Sequence, residues 1–298
     1  MGVLFAILAM MSFATNILLT RYALQRMPLD SGFLVVLGTN ILFPAAIFAV
    51  ELGARQSAFA WDWKGFALFT VSGVFGTFLG RRMLFDTVRL LGPARSSVFH
   101  STAPAFAILG AWIFVGERLG LYEVVLVVLV WTGLWLTQPR AGSTVGDAKL
   151  TPELLRKGIF FGLFAVAGFG FGNVVRGIAV RHWHEAVLGT VIASAAALAL
   201  QIAVTRHWER IAAQFRAAER GALALYLGCG VATALGSIFV TLAMERVEIG
   251  LAVLVVHTTP LVIFPVSVFV LRHRQELTSR TLAGTGLVLA GISALVLR

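Results

Sequence analysis

Charge is what this sequence has least of. Only 13% of its 298 residues are Asp, Glu, Lys or Arg, about half the share of a soluble globular chain. So few charged groups cannot cover a water-facing surface. A hydrophobic content of 58% and a mean hydropathy of +0.89 make the bilayer core the natural solvent. Cysteine is nearly absent too: Cys229 stands alone, which excludes an intrachain disulfide and a cysteine-based metal centre. No Gly-x-x-x-x-Gly-Lys, His-Glu-x-x-His or Gly-x-Ser-x-Gly pattern occurs, so nucleotide hydrolysis and the common hydrolytic sites have no sequence support. The 14 acidic residues fall between apolar runs or close to their ends, none at the middle of a run. That argues against a carrier that exchanges protons for cationic drugs on a mid-membrane carboxylate. No cofactor, metal or nucleic acid is expected. The net charge of +10 comes from Lys and Arg strung singly or in pairs at the ends of apolar runs, where they anchor helices at lipid headgroups rather than forming one nucleic-acid face.

What is there is a series of apolar runs long enough to span a bilayer, each about 20 residues. They fall near 3–24, 32–53, 65–85, 93–115, 120–138, 158–180, 186–205, 221–243, 249–271 and 281–297. The first run has no basic n-region and no cleavage site, so it reads as a retained helix rather than a signal peptide. Short breaks such as Pro28-Leu29-Asp30 and Gly116-Glu117-Arg118 separate the runs; the longer polar stretch 139–157 is the one linker. It divides the chain into a first unit, 1–138, and a second, 158–298, with five runs in each.

The two units repeat one another. Leu37-Gly38-Thr39 recurs as Leu188-Gly189-Thr190, and Asn16 as Asn173. The segment from Thr77 to Gly80 recurs from Thr233 to Gly236, His100-Ser101-Thr102-Ala103-Pro104 as His257-Thr258-Thr259-Pro260, and Gly133 as Gly291. An odd number of spans per unit forces the second unit to enter from the opposite side. The expected fold is therefore an all-α integral membrane protein of ten transmembrane helices, built as two inverted five-helix repeats. Secondary transporters use this architecture, with a site between the repeats near the midplane.

The stretch from Leu91 to Thr137 carries a family resemblance. A Gly-Pro-Ala segment leads into a span with a central Pro104, then Gly116-Glu117-Arg118-Leu119, then an apolar run with Gly133. This order resembles the second half of an EamA unit of the drug/metabolite transporter superfamily. The second unit keeps Gly250, Pro260 and Gly291 but reads Leu271 to Glu276 in place of the Gly-Glu-Arg turn. The resemblance implies a ten-helix permease in the cell (cytoplasmic) membrane, a small-molecule substrate, and a monomer or homodimer.

Ionisable groups inside a span cost about 2.5–3.5 kcal/mol each on insertion scales and are functional candidates by default. Arg81 and Arg82 close the third run, Arg95 opens the fourth, and Arg176 lies within the sixth. Snorkelling to the headgroups is the structural alternative for each. His100 and His257 occupy repeat-equivalent positions and could carry a proton or meet an anion; packed interhelical histidines are the alternative. Asn16 and Asn173 serve either as substrate hydrogen-bonding groups or as helix-to-helix contacts. Pro104 and Pro260, read as mid-span prolines, would free carbonyls as a hinge or pathway lining, or make fixed kinks. Phe99, Phe106 and Phe264 would supply apolar walls. The cluster His182-Trp183-His184-Glu185 has the residue types of a metal site but reads more simply as an interface loop.

These residues describe a secondary transporter, by efflux or exchange, of a small neutral or anionic metabolite such as an amino acid or organic anion. A lipid or lipid-phosphate translocase could use the same arginines. A membrane-embedded enzyme would need a cluster of His and acid at one depth, which the sequence lacks. Orientation stays open: seventeen of the 24 Lys and Arg fall on the side away from the termini, which by the positive-inside rule places both termini outside, whereas the resemblance implies both inside.

Overall fold

The computed structural model describes residues 1–55, 58–91, 96, 99–100, 102–118, 120–137, 152–265 and 279–296. Among these residues there is no strand. In the first unit, α1 (Gly2–Ala23) and α2 (Leu29–Ala54) are long single helices. The third span is α3 (Trp63–Ser72), a π-helical turn over Gly73–Leu79, and α4 (Gly80–Leu91). Then follow α5 (Ala103–Val115) and α6 (Leu121–Thr137).

In the second unit, α7 (Pro152–Trp183) and α8 (Ala186–Val204) precede a short helix, α9 (Trp208–Ala217). The chain continues with α10 (Arg220–Arg246), α11 (Ile249–Val256), α12 (Pro260–Pro265) and α13 (Ser279–Val296). Five of these helices are long and apolar enough to cross a membrane on their own. Residues 152–157, expected in the linker, already belong to α7; Pro152 opens its first turn, and Lys157 pairs with Glu153 at 2.8 Å one turn away.

Contacts fix the direction of each helix. Gly2 packs against Val247, Phe5 stacks on Phe239 at 6.2 Å, and the Tyr226 hydroxyl donates to the Met27 carbonyl at 3.0 Å, so α1 and α10 are antiparallel. Gly65 lies against Trp183 and Leu91 against Gly158, so α7 runs against α3–α4. The start of α1 and the ends of α7 and α10 share one face, joined where Arg181 bonds the Val247 carbonyl. The first unit thus leaves the face from which α1 starts, and the second unit begins at the opposite one. We call these the terminal face and the far face. Tyr122 at the start of α6 donates to the Ala294 carbonyl at 3.1 Å, which returns α13 to the terminal face.

The inversion is visible in reciprocal contacts. Gly133 packs on Val288, and its repeat partner Gly291 packs on Val130. Such an exchange of equivalent partners is what a pseudo-two-fold axis produces. The core between the units is built from small residues: a Cβ on Gly172 would collide with the backbone of Gly76, so α7 and the π-helical segment approach backbone to backbone. An aromatic group of Phe59, Trp61, Trp63, Phe66 and Trp183 gathers at the terminal face, with Trp61 and Trp183 at 5.4 Å, the belt expected where a bundle meets headgroups.

Candidate functional site

Two spans are broken at matching places, and the breaks meet. α11 stops at Val256; His257 to Thr259 form a turn tightened by bonds such as Thr258 N–H to the Val255 carbonyl at 3.1 Å, and α12 restarts at Pro260. In the first unit Phe99 and His100 are helical, Thr102 turns with its amide on the Phe99 carbonyl at 2.9 Å, and α5 restarts at Ala103. Pro104 and Pro260 therefore sit in the first turn of a helix, not in the interior of one as expected from the run lengths. There a missing N–H costs nothing, since that amide has no intrahelical acceptor.

At the breaks the His100 and His257 rings approach to 5.2 Å between centroids, tilted by 46°. His257 Nδ1 donates to the Val253 carbonyl at 2.9 Å, which holds its ring, and Phe169 meets the His100 ring edge-on at 5.4 Å. His100 is exposed and His257 half-buried. Phe169, Asn173 and Arg176 follow one another at helical spacing along one side of α7, so Asn173 and Arg176 share the side that meets His100. Phe99 and Phe106 lie against Gly162 and Gly170 of α7.

Arg81 is not at the end of its span, contrary to expectation. The helix continues to Leu91, and the adjacent Gly80 packs on Phe169, midway along α7. The misreading comes from Arg81, Arg82, Asp86 and Arg89, which end the apolar run although the helix itself runs on to Leu91. The Arg81 guanidinium lies 5.2 Å from the Phe33 ring centroid, a stacking that suits a desolvated cation. Arg81 is within electrostatic range of both His100 and Arg176. Neither arginine has a carboxylate partner among the described residues, whereas Arg82 is exposed. Arg95 and the Phe264 side chain lie outside the described residues.

Asn16 is set apart from this group, in the seam between α1 and α10. Its side-chain oxygen accepts from the Thr20 hydroxyl at 3.3 Å, and its carbonyl from the Cys229 thiol at 3.9 Å. Phe169, Phe33 and the π-helical turn were missed at the sequence level. Phe169 could have been found as the residue one turn before Asn173; the other two depend on tertiary placement.

The terminal face is closed by ion pairs. Gly116 takes φ of 73°, the left-handed cap that ends α5, and this turn aims Glu117 at the second unit. The Glu117 carboxylate accepts from the Ile249 and Gly250 amides at 3.0 and 3.5 Å and pairs with Arg181 at 2.8 Å. Arg181 in turn donates to the Met244 and Val247 carbonyls, both at 2.9 Å. One pair thus caps the end of α10 and the start of α11 together.

Arg55 makes a two-pronged bond to Glu185 at 2.5 and 2.8 Å. That hydrogen-bonded carboxylate holds the Arg55 pKa above its ordinary value. The four residues of the suspected metal cluster go separate ways: His182 to Asp62 at 2.7 Å, Trp183 to the Ala60 carbonyl at 3.2 Å, His184 to Glu245 at 2.8 Å, and Glu185 to Arg55.

Residues 1–138 and 156–297 match the EamA-like transporter family. The chain belongs to that family. It is accordingly a multi-pass membrane transporter of the drug/metabolite transporter superfamily, with ten helices in two inverted repeats, and not an enzyme. The chain is 25% identical over 249 residues to the pseudopaline exporter CntI of Pseudomonas aeruginosa, covering 82% of this chain and 78% of the exporter. It is 30% identical over 153 residues to the transporter YxxF of Bacillus subtilis (strain 168), covering 51% of this chain and 46% of that protein. A solved crystal structure superposes with a TM-score of 0.72 over 99% of this chain and 96% of the other, at 18% identity, a likeness of fold alone.

Proposed function

We propose that this EamA-like transporter carries a small anionic metabolite, an organic anion or the carboxylate of an amino acid, by alternating access between its two repeats. The observation that carries the reading is the group Arg81, Arg176, His100 and His257, drawn from both units to the middle of the helices that bear them, with no carboxylate beside either arginine among the described residues. Two like charges there repel and are costly to bury. An anion between them removes both penalties, which makes binding energy available without reshaping the site. Asn173 on the same side of α7 would add a neutral hydrogen-bonding group, and Phe99, Phe106 and Phe169 apolar walls. All of these belong to one chain, so a monomer suffices for the site, whether or not two pair as a homodimer. Efflux, or exchange, is the direction favoured by a relative named as an exporter, and the cytoplasmic membrane is the proposed location.

Transport by the purified protein in liposomes tests this. A pool of organic anions, amino acids, nucleosides and organic cations is offered with and without a proton gradient. Anions are expected to move, with Arg176→Gln and His257→Ala each at least tenfold slower at unchanged folding. Movement of a neutral or cationic solute at equal rate in wild type and Arg176→Gln would overturn the anion reading. If no solute moves through folded protein, transfer of a phospholipid-phosphate between leaflets becomes the reading to assay.

A further inference from the structure

The two faces of the bundle handle charge differently. At the terminal face Arg55, Arg181, Arg246, His182 and His184 each meet a carboxylate. At the far face the cations outnumber the acids, and those around α9 have no such partner among the described residues. Arg206, Arg210, Arg216 and Arg220 are all exposed, as is His207.

The helix that carries them is amphipathic by spacing. Ile211 is 8% exposed, and Phe215 packs with Ala23, Met27, Ala222 and Tyr226 across the ends of α1 and α10. Gln214 accepts a hydrogen bond from Ser31 of α2, which fixes the helix to the bundle. Trp208, 43% exposed, borders the buried side, while Arg210 and Arg216 project from the opposite flank by helical periodicity. Arg26 at the end of α1 joins the group, since its guanidinium lies beside Gly221. A docked helix with a tryptophan at its edge and arginines outward has the construction of a segment lying in the headgroup layer.

We propose that α9 and its flanking arginines bind the phosphates of anionic phospholipids, and that the far face is cytoplasmic, with Met1 and the end of α13 on the opposite side. Anionic lipid is the partner because the exposed charge around α9 is net positive, with Arg26, Arg206, Arg210, Arg216 and Arg220 outnumbering Glu209 and Glu219, and because the helix lies across the end of the bundle, where spans meet headgroups. The cytoplasmic leaflet is the side where juxtamembrane arginines collect and are retained. The terminal face carries fewer Lys and Arg, among them exposed Lys64 and Arg118, so the count of cations favours the far face as the cytoplasmic one. The orientation implied by the family resemblance is thereby reversed for this chain.

Two measurements on the full-length protein test this. On a Cys229→Ala background, single cysteines replace exposed Ala58 at the terminal face and exposed Ala213 on α9. A membrane-impermeant maleimide applied to intact cells should label Ala58→Cys at once and Ala213→Cys only after permeabilisation. The reverse pattern would overturn the orientation. Amide exchange over residues 206–220 is then compared in phosphatidylcholine vesicles with and without phosphatidylglycerol. At least tenfold slower exchange with phosphatidylglycerol is expected, and the difference should vanish in R206Q/R210Q/R216Q/R220Q. Equal exchange in both lipids, or the same protection from inorganic phosphate in phosphatidylcholine vesicles, would overturn the lipid site.

Discussion

Glu117 shows how one side chain can hold two helices of the opposite repeat. Its carboxyl is 10% exposed and binds Arg181, Ile249 and Gly250. Removing it leaves a guanidinium and two helix-start amides short of an acceptor. Glu117→Ala should lower stability by about 2 kcal/mol, read as a fall in thermal midpoint in detergent, and Glu117→Gln, which still accepts hydrogen bonds, should lose less. An equal loss for both variants would mean that the charge, not the capping, is what matters. The Gly-Glu-Arg-Leu motif was legible in the sequence, but its purpose was not, because Arg181, Ile249 and Gly250 lie far along the chain. The histidine pair was legible for a different reason: repeat symmetry places equivalent residues on either side of one axis, so two matching histidines are natural neighbours. The same argument did not bring Asn16 beside Asn173, since half-buried Asn16 is engaged with its own helix and α10.

At the scale of elements, hydropathy located the apolar spans but not their irregularities. The broken helices were read as kinked because a proline looks the same in sequence whether it bends a helix or starts one. α9 was passed over as a charged break between spans, its few apolar residues too short a pattern to register. The π-helical turn was invisible as well, yet it accounts for the glycines around it. In an α-helix each residue turns by roughly 100°, so Gly73 and Gly80 would share a side. The wider i→i+5 turn separates them, letting Gly73 meet Ala193 of α8 while Gly76 and Gly80 meet α7. Deleting Val74 should restore α-helical winding with Arg81 still aimed at the site, since one residue fewer at roughly 100° each covers nearly the same angle as the π-helical turn. Anion transport should persist in that deletion and be lost when Phe75 is deleted as well, which turns Arg81 by about 100°, with a single monodisperse peak retained on size exclusion. Equal transport in the two deletions would show that the aim of Arg81 is dispensable.

For the molecule as a whole, the inverted repeat was readable because five matched motifs recur in one order. Which face is sealed was not, since that depends on pairs such as Arg55–Glu185 that join distant segments. Under the alternating-access proposal this conformation is locked at the terminal face, and loosening the lock should bias the protein towards opening there. The double variant R55Q/E117Q should increase maleimide labelling of a cysteine at Leu235, which lines a cavity of about 270 Å³ with Arg55 and Glu185. Labelling no faster than with the lock intact would count against a gate at that face.

The reciprocal packing of Gly133 on Val288 and Gly291 on Val130 has a mechanical counterpart. If the two repeats trade shapes during a cycle, a seam made of equivalent partners looks the same before and after the trade. α6 and α13 then behave as an axle, and the helices bearing the arginines and histidines swing around it. A disulfide through V130C/G291C should leave turnover intact, whereas a short thiol cross-link through R55C/E185C should stop it until reductant is added.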